Sequence, residues 1–261
     1  MKLAVTTPLR PSPAEEAAAR VAAARHRLPY AARGSRSLDS VRSEAGADAL
    51  LVLSSRHAAL RVEGEEHRWS PGMGALRAKR VSAALRGEDA GPPDPFLSAA
   101  DVRPGDAILD CTLGLGADAL VAAVAAGPHG RVVGLEASPA LAAWVAEGLA
   151  RHADPAARRV EVRAAEHAAA LAALPPRSFD VVVFDPMFRH ARPEPGGFDL
   201  VRLLAEARPL APDAILAARR VARRWVVVKD GAPGWDLARL GLVPLPSARG
   251  AHRYYARLEP A

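Results

Sequence analysis

The stretch AILDCTLGLGAD, Ala107 to Asp118, decides the fold. Its apolar start, Ala107 to Leu109, reads as a buried strand that ends on an acid, Asp110. Paired glycines follow, Gly114 and Gly116, and then the start of a helix. A G-x-G turn lets the backbone bend sharply and brings a ligand close to bare main chain. The helix behind it offers unpaired N–H groups to that ligand. The outline is that of a nucleotide-cofactor loop, and Gly114 to Ala119 also satisfies the looser dinucleotide pattern G-x-G-x-x-A. The residues downstream choose between cofactors.

Working outward, strands are expected at Ala107 to Leu109, Val132 to Leu135, Val160 to Val162, Val181 to Phe184 and Trp225 to Val228. Alanine-rich helices alternate with them: Ala117 to Ala126, Ala140 to Arg151, Glu166 to Leu174, Asp199 to Ala207 and Ala214 to Arg223. Continuous apolar strands between helices mean a parallel sheet covered on both faces. Two late runs, Leu240 to Leu245 and His252 to Leu258, flank the short loop Pro246 to Gly250 and suggest an antiparallel hairpin at the sheet edge. The expected fold class is therefore α/β: a doubly wound, Rossmann-like, mostly parallel sheet with an antiparallel C-terminal hairpin.

Upstream the pattern is small α+β. KLAVTT is strand-like, and Ser12-Pro13-Ala14-Glu15-Glu16 starts a helix with an N-cap, a proline at the first helical position and acids in the first turn. Ala49 to Leu53, Ala58 to Val62 and His67 to Trp69 read as short strands, and Ser70 to Met73 opens a helix through Leu85. GEDAGPPDP, Gly87 to Pro95, is a proline- and glycine-rich linker. It divides a basic N-terminal domain, 1–90, from a larger domain, 91–261.

The totals exclude several classes. Half of the 261 residues are hydrophobic, enough for a sizeable core. A single cysteine, Cys111, rules out a disulfide framework and suits a reducing cytoplasm; it reads as a small buried residue. No apolar run approaches the ~20 residues of a membrane span. The N-terminus lacks a secretory stretch and reads as mature sequence. The histidines are scattered without metal-ligand spacing, so no metal is expected. The net charge is +6, with arginine far ahead of the three lysines, Lys2, Lys79 and Lys229. A basic surface favours a polyanion partner, although a GC-rich genome enriches arginine, alanine and proline together. Arg25, His26, Arg27, Arg33 and Arg36 surround Tyr30 in sequence, and such a cluster can grip a nucleic acid backbone and stack a base.

In a doubly wound sheet, ligands sit beyond the carboxyl ends of the strands. Those ends carry Asp110 with Gly114 and Gly116, then Glu136, then Glu166 and His167, then Asp185-Pro186-Met187-Phe188, then Lys229. Glu136 follows Gly116 by 20 residues, the spacing at which an acid accepts ribose hydroxyls. Asp110 and Glu166 also have a plainer reading as helix N-caps. A nicotinamide enzyme needs neither an acid ending the first strand nor Asp-Pro-x-aromatic at the fourth. Acids at four successive strand ends are what class I S-adenosylmethionine methyltransferases show. Their cofactor is a sulfonium cation, beside which carboxylates are favourable.

Asp185-Pro186-Met187-Phe188 resembles the (Asp/Asn)-Pro-Pro-(Tyr/Phe/Trp) motif of methyltransferases that act on exocyclic base amines or amide nitrogens. An aryl amine is a poor nucleophile because its lone pair is delocalised. The Asp185 side chain and Pro186 carbonyl can hold its N–H groups and aim the lone pair, while Phe188 stacks on the base. Arg189 and Arg192 make the surroundings basic.

DCTLGLGADAL, VVGLEASP, DPMF, WVVVKD and HRYYARLE together resemble the RsmJ (YhiQ-type) family and its uncharacterised Gram-positive relatives, over about residues 71–259. The RsmJ family comprises S-adenosylmethionine-dependent guanine-N2 methyltransferases of small-subunit ribosomal RNA. The resemblance implies S-adenosyl-L-methionine as cofactor, with contacts at Ala117, Asp118, Glu136, Ala137, Glu166, His167 and Asp185. It implies RNA, ribosomal RNA in particular, as partner, and Arg189, Lys229, Arg33 and Arg36 are the candidate substrate contacts. Ala117 stands where that family has arginine, and Glu166-His167 where it has two serines. Residues 1–70 match it poorly. A methyltransferase of another acceptor and a silent RNA-binding module are the competing expectations.

Overall fold

The computed structural model describes residues 1–186, 204, 208–247 and 252–261. The expected helix from Asp199 to Ala207 falls outside these residues but for Leu204, as do Phe188, Arg189 and Arg192.

The N-terminal part builds a four-stranded sheet. Strand β1 (Leu3–Thr6) leads into α1 (Pro13–His26), whose start is closed by a reciprocal Ser12–Glu15 capping box. After α2 (Leu38–Glu44) come β2 (Ala49–Leu53), β3 (Ala58–Val62) and β4 (Glu65–Arg68). Strands run in the order β1-β2-β3-β4, with β1 parallel to β2 and the others antiparallel. Helix α3 (Met73–Leu85) follows, and then α4 (Pro95–Ala100), which the linker reading missed. Asp94 caps α4 by accepting from the N–H groups of Phe96 and Leu97, so the proline run ends in a helix start.

The second sheet alternates strand and helix: β5 (Ala107–Asp110), α5 (Ala117–Ala126), β6 (Arg131–Glu136), α6 (Pro139–Ala150), β7 (Val160–Ala164), α7 (His167–Ala173) and β8 (Phe179–Phe184). It closes with α8 (Pro212–Val221), β9 (Ala222–Gly231), α9 (Trp235–Arg239) and β10 (Arg253–Leu258). The order is β10-β9-β8-β5-β6-β7, and every pair is parallel except β9 with β10. Strand order reverses between β5 and β8, which opens a crevice at their carboxyl ends.

The antiparallel closure differs from the expected pairing in one respect. Strand β10 pairs along β9, from Arg253 opposite Gly231 to Leu258 opposite Val226. Leu240 to Leu245 is not a strand. Pro244 has no N–H to give a ladder, and a single bond from Leu245 N to Tyr255 O, 2.7 Å, ties this segment to β10.

The two sheets share one apolar cluster, which runs from Leu3, Val5 and Leu51 through Ala78 to Leu120 and Trp144. Helix α6 carries much of the junction. Trp144 Nε1 donates to Ala58 O at 3.2 Å, and Arg151 Nε to Ser54 O at 2.8 Å. Glu147 is buried against His26 (2.8 Å), Arg25 (3.1 Å) and Arg151 (2.5 Å). Gly148 lies under Trp69 so closely that a Cβ there would stand 2.1 Å from the indole. No helix among the described residues is long and apolar enough to cross a membrane.

Candidate active site

A cleft of about 1690 Å³ opens at the carboxyl ends of β5, β6 and β8. It is larger than the few hundred to ~1,000 Å³ of an ordinary small-molecule pocket. Its floor is the loop after β5. Gly114 and Gly116 both adopt left-handed backbone, φ 51° and 78°, which favours glycine. The turn places Gly114 N against Glu136 Oε2 at 3.2 Å, while Glu136 Oε1 accepts from Ser138 N at 2.9 Å. Burial nonetheless holds the Glu136 carboxyl above its usual range. Leu113 and Leu135 add an apolar wall beside Glu136 and Ala137, and Glu166 and His167 line the same cleft. The plainer reading of Glu166 holds in part, since it is the N-cap of α7 and accepts from Ala169 N at 3.1 Å.

Asp110 is buried at the end of β5 and accepts from Thr112 N at 3.0 Å. It caps no helix. With desolvation dominant, and Asp118 and Asp185 nearby, its carboxyl is pushed up to about 7. Asp185, at the end of β8, is positioned by its own N–H, which donates to Thr112 Oγ1 at 2.6 Å. Its Oδ2 accepts from Lys229 Nζ at 2.5 Å. Among the described residues its Oδ1 has no hydrogen-bond partner. Burial raises this carboxyl too, against the lowering pull of Lys229.

Lys229 is therefore no open cation for an RNA phosphate, as the sequence suggested. Its ammonium is buried and shared between Asp185 and Asp118, the latter at 2.9 Å. These two anions hold its pKa up against desolvation. Asp118 in turn pairs with Arg77 at 2.5 Å, and Arg77 reaches Asp94 at 2.7 and 3.0 Å. Sequence reading missed Arg77 and Asp94. Helix α3 brings them in, and no local motif marks that contact. A Cβ on Gly74 would stand 2.8 Å from Ala117 Cα, so α3 lies flush on the start of α5 and supplies Arg77's guanidinium there.

Arg33 and Arg36 are not brought to this cleft. They hydrogen-bond each other's carbonyls at 3.1 and 3.2 Å, and Arg36 pairs with Glu44. Tyr30 is stacked under Arg20, 4.3 Å from the ring centroid. Cys111 is buried with its thiol pushed up by desolvation. Phe188 and Arg189, expected from the sequence as a catalytic and a substrate-side residue, lie outside the described residues; Pro186 lines the cleft.

This site suits a cation that carries a nucleoside. Asp110, Asp118 and Glu136 are buried carboxylates and Asp185 is a half-buried one, served by Lys229 and by an Arg77 that is shared with Asp94. Asp110, with no cation in hydrogen-bond contact among the described residues, gains most from an arriving positive charge. Glu136 retains lone pairs for ribose hydroxyls. A doubly wound sheet with this site defines a class I, S-adenosylmethionine-dependent methyltransferase.

Comparison with known proteins agrees. The chain belongs to the SAM-dependent methyltransferase family, whose model matches residues 86–238. It is 35% identical over 232 residues to YpiP of Bacillus subtilis (strain 168), described as uncharacterized, covering 87% of this chain and 88% of that protein. The crystal structure of the SAM-dependent methyltransferase NGO1261 from Neisseria gonorrhoeae superposes with a TM-score of 0.63. It is 22% identical, over 98% of this chain and 96% of the other, and shows the shared fold.

Proposed function

We propose that this methyltransferase modifies an exocyclic amine of a nucleobase in RNA, guanine N2 of small-subunit ribosomal RNA. The observation that carries the reading is Asp185. It stands where β5 and β8 part, held at both its N–H and Oδ2, with Oδ1 left to accept among the described residues. Bound S-adenosylmethionine supplies a methyl group on a sulfonium, open to displacement by a nucleophile. Asp110, Gly114, Glu136, Ala137, Glu166 and His167, which line one cleft, would hold it.

The chain's own task is to present the amine. The Asp185 carboxylate and Pro186 carbonyl take its N–H groups and turn its lone pair toward the methyl, and Phe188 stacks the base. Orientation of this kind accounts for most of the rate in a one-step transfer. A paired base must first leave its stack. The basic charge of the chain supports a polyanionic acceptor.

Asp185→Ala tests the reading. Turnover on RNA should fall by about 10²–10³-fold, the range for removal of one preorganised polar contact. Cofactor affinity, measured by titration calorimetry, should stay within a few-fold. Unchanged turnover would remove Asp185 from the chemistry.

A further inference from the structure

The cleft continues past Asp185 between two walls that the cofactor residues leave unused. One is a face of α3 with the proline-rich segment after it; the other is β10. Alternation along β10 points Arg253, Tyr255 and Arg257 to one side, and all three line the cleft. The register fixes this face to the chemistry, because Tyr255 is the partner of Lys229. Tyr255 is buried, while Arg253 and Arg257 are exposed on either side of it. Across the cleft, Arg80 is exposed on the same side of α3 as Arg77.

Most arginines of this chain with a described partner answer a carboxylate. These three differ. Among the described residues neither Arg80 nor Arg253 has an ion-pair or hydrogen-bond partner. Arg257 has only the Trp225 ring, 4.3 Å from its guanidinium carbon, which orders the group without neutralising it. Arg253 acts on Asp185 only through space, without a direct pair, so three guanidinium groups with no ion-pair partner among the described residues stand around the approach to the half-buried Asp185 and form an anion site. Planar forks with several N–H donors suit phosphodiester oxygens.

We propose that Arg80, Arg253 and Arg257 form a phosphate clamp that holds the acceptor polynucleotide on both sides of the nucleotide presented to Asp185. The clamp rests on the RNA reading above and names the residues that recognise the substrate backbone. Such contacts fix register and orientation and carry no sequence information.

The test uses the full chain and a labelled single-stranded RNA transcript of small-subunit ribosomal RNA. Binding is followed by fluorescence anisotropy across a salt series. The plot of log affinity against log salt should lose about 2 from its slope in Arg80→Gln/Arg253→Gln/Arg257→Gln, at ~0.7 per single-strand phosphate contact. Arg80→Gln/Arg253→Gln, which leaves the Trp225 stack intact, should lose about 1.4. An equal charge change away from the cleft, Arg56→Gln/Arg68→Gln/Arg103→Gln, should leave the slope near wild type. In methyl transfer, the cleft triple should raise KM for RNA roughly tenfold with kcat little changed. Equal slopes for the two triples overturn the clamp, as does a loss of cofactor affinity in the cleft triple in place of RNA affinity. Failure of the wild-type protein to methylate RNA overturns the preceding reading, and the binding slopes still decide the clamp.

Discussion

The two ends of the large sheet use the same residue types to different effect. At the amino ends of β5, β8 and β9, Asp106 and Asp180 are each held by an arginine and a backbone amide, Asp106's Arg224 also reaching Asp101 at 3.7 Å. Asp106 accepts from Arg103 N at 2.7 Å and from Arg224; Asp180 accepts from Ala107 N at 2.8 Å and from Arg223 at 3.3 Å. At the carboxyl ends, Asp118 and Asp185 share Lys229, Asp94 and Asp118 share Arg77, and Asp110 has one amide. The first set is closed and holds the sheet together. The second carries surplus negative charge around an open cleft, which stabilises the fold less and leaves capacity for a cationic ligand.

After Asp185 itself, the largest expected effect is at Lys229. Lys229→Met leaves Asp118 to Arg77 alone and takes from the half-buried Asp185 the cation it is hydrogen-bonded to, and should cost about 3 kcal/mol, the lower end for breaking a buried ion pair from one side. Urea unfolding measures it. Losing the cation also moves the Asp185 carboxyl further up, so the acid limb of the activity profile should shift to higher pH. Arg224→Met, at the opposite end, should cost comparable stability with no such shift. If both variants moved the profile alike, the two ends would not differ as described.

Asp110 sharpens the comparison. Its carboxyl is raised from 3.8 to about 7. Between these values the folded protein keeps a proton that the unfolded chain has lost. The part of the stability without cofactor that Asp110 contributes is therefore full below about pH 4 and is lost as pH rises through 7, on the order of 4 kcal/mol. Asp110→Asn should flatten that decline. A cationic cofactor prefers the ionised form, so its affinity should tighten up to about tenfold from pH 6 to pH 8, and not in Asp110→Asn. Calorimetry at the two pH values checks both statements.

The smallest effect is expected away from the cleft. Gly148→Ala forces the Trp69 indole aside and should cost about 1–3 kcal/mol as overpacking. Thermal unfolding would show it, with cofactor affinity unchanged, because neither residue lines the cleft.

Much of this was legible in the sequence. The strand-end acids Asp110, Glu136, Glu166 and Asp185 were found because a parallel sheet puts ligands at one end, and the G-x-G loop announced itself locally. What escaped depends on contacts distant in sequence. Lys229 read as a candidate substrate contact because its two partners lie 111 and 44 residues away. Arg77 and Asp94 sat in a segment read as helix and linker, with nothing local to join them to Asp118. The pairing of β10 with β9 was missed because Leu240 to Leu245 lies between them and is as apolar as a strand.

The most direct measurement is to supply tritiated-methyl S-adenosylmethionine and the purified protein to total RNA, ribosomal subunits, DNA and protein from cells lacking its gene. Label in small-subunit ribosomal RNA, digested to N2-methylguanosine, is the predicted result. Label confined to protein, DNA or small molecules, or no label while the cofactor binds, would contradict it.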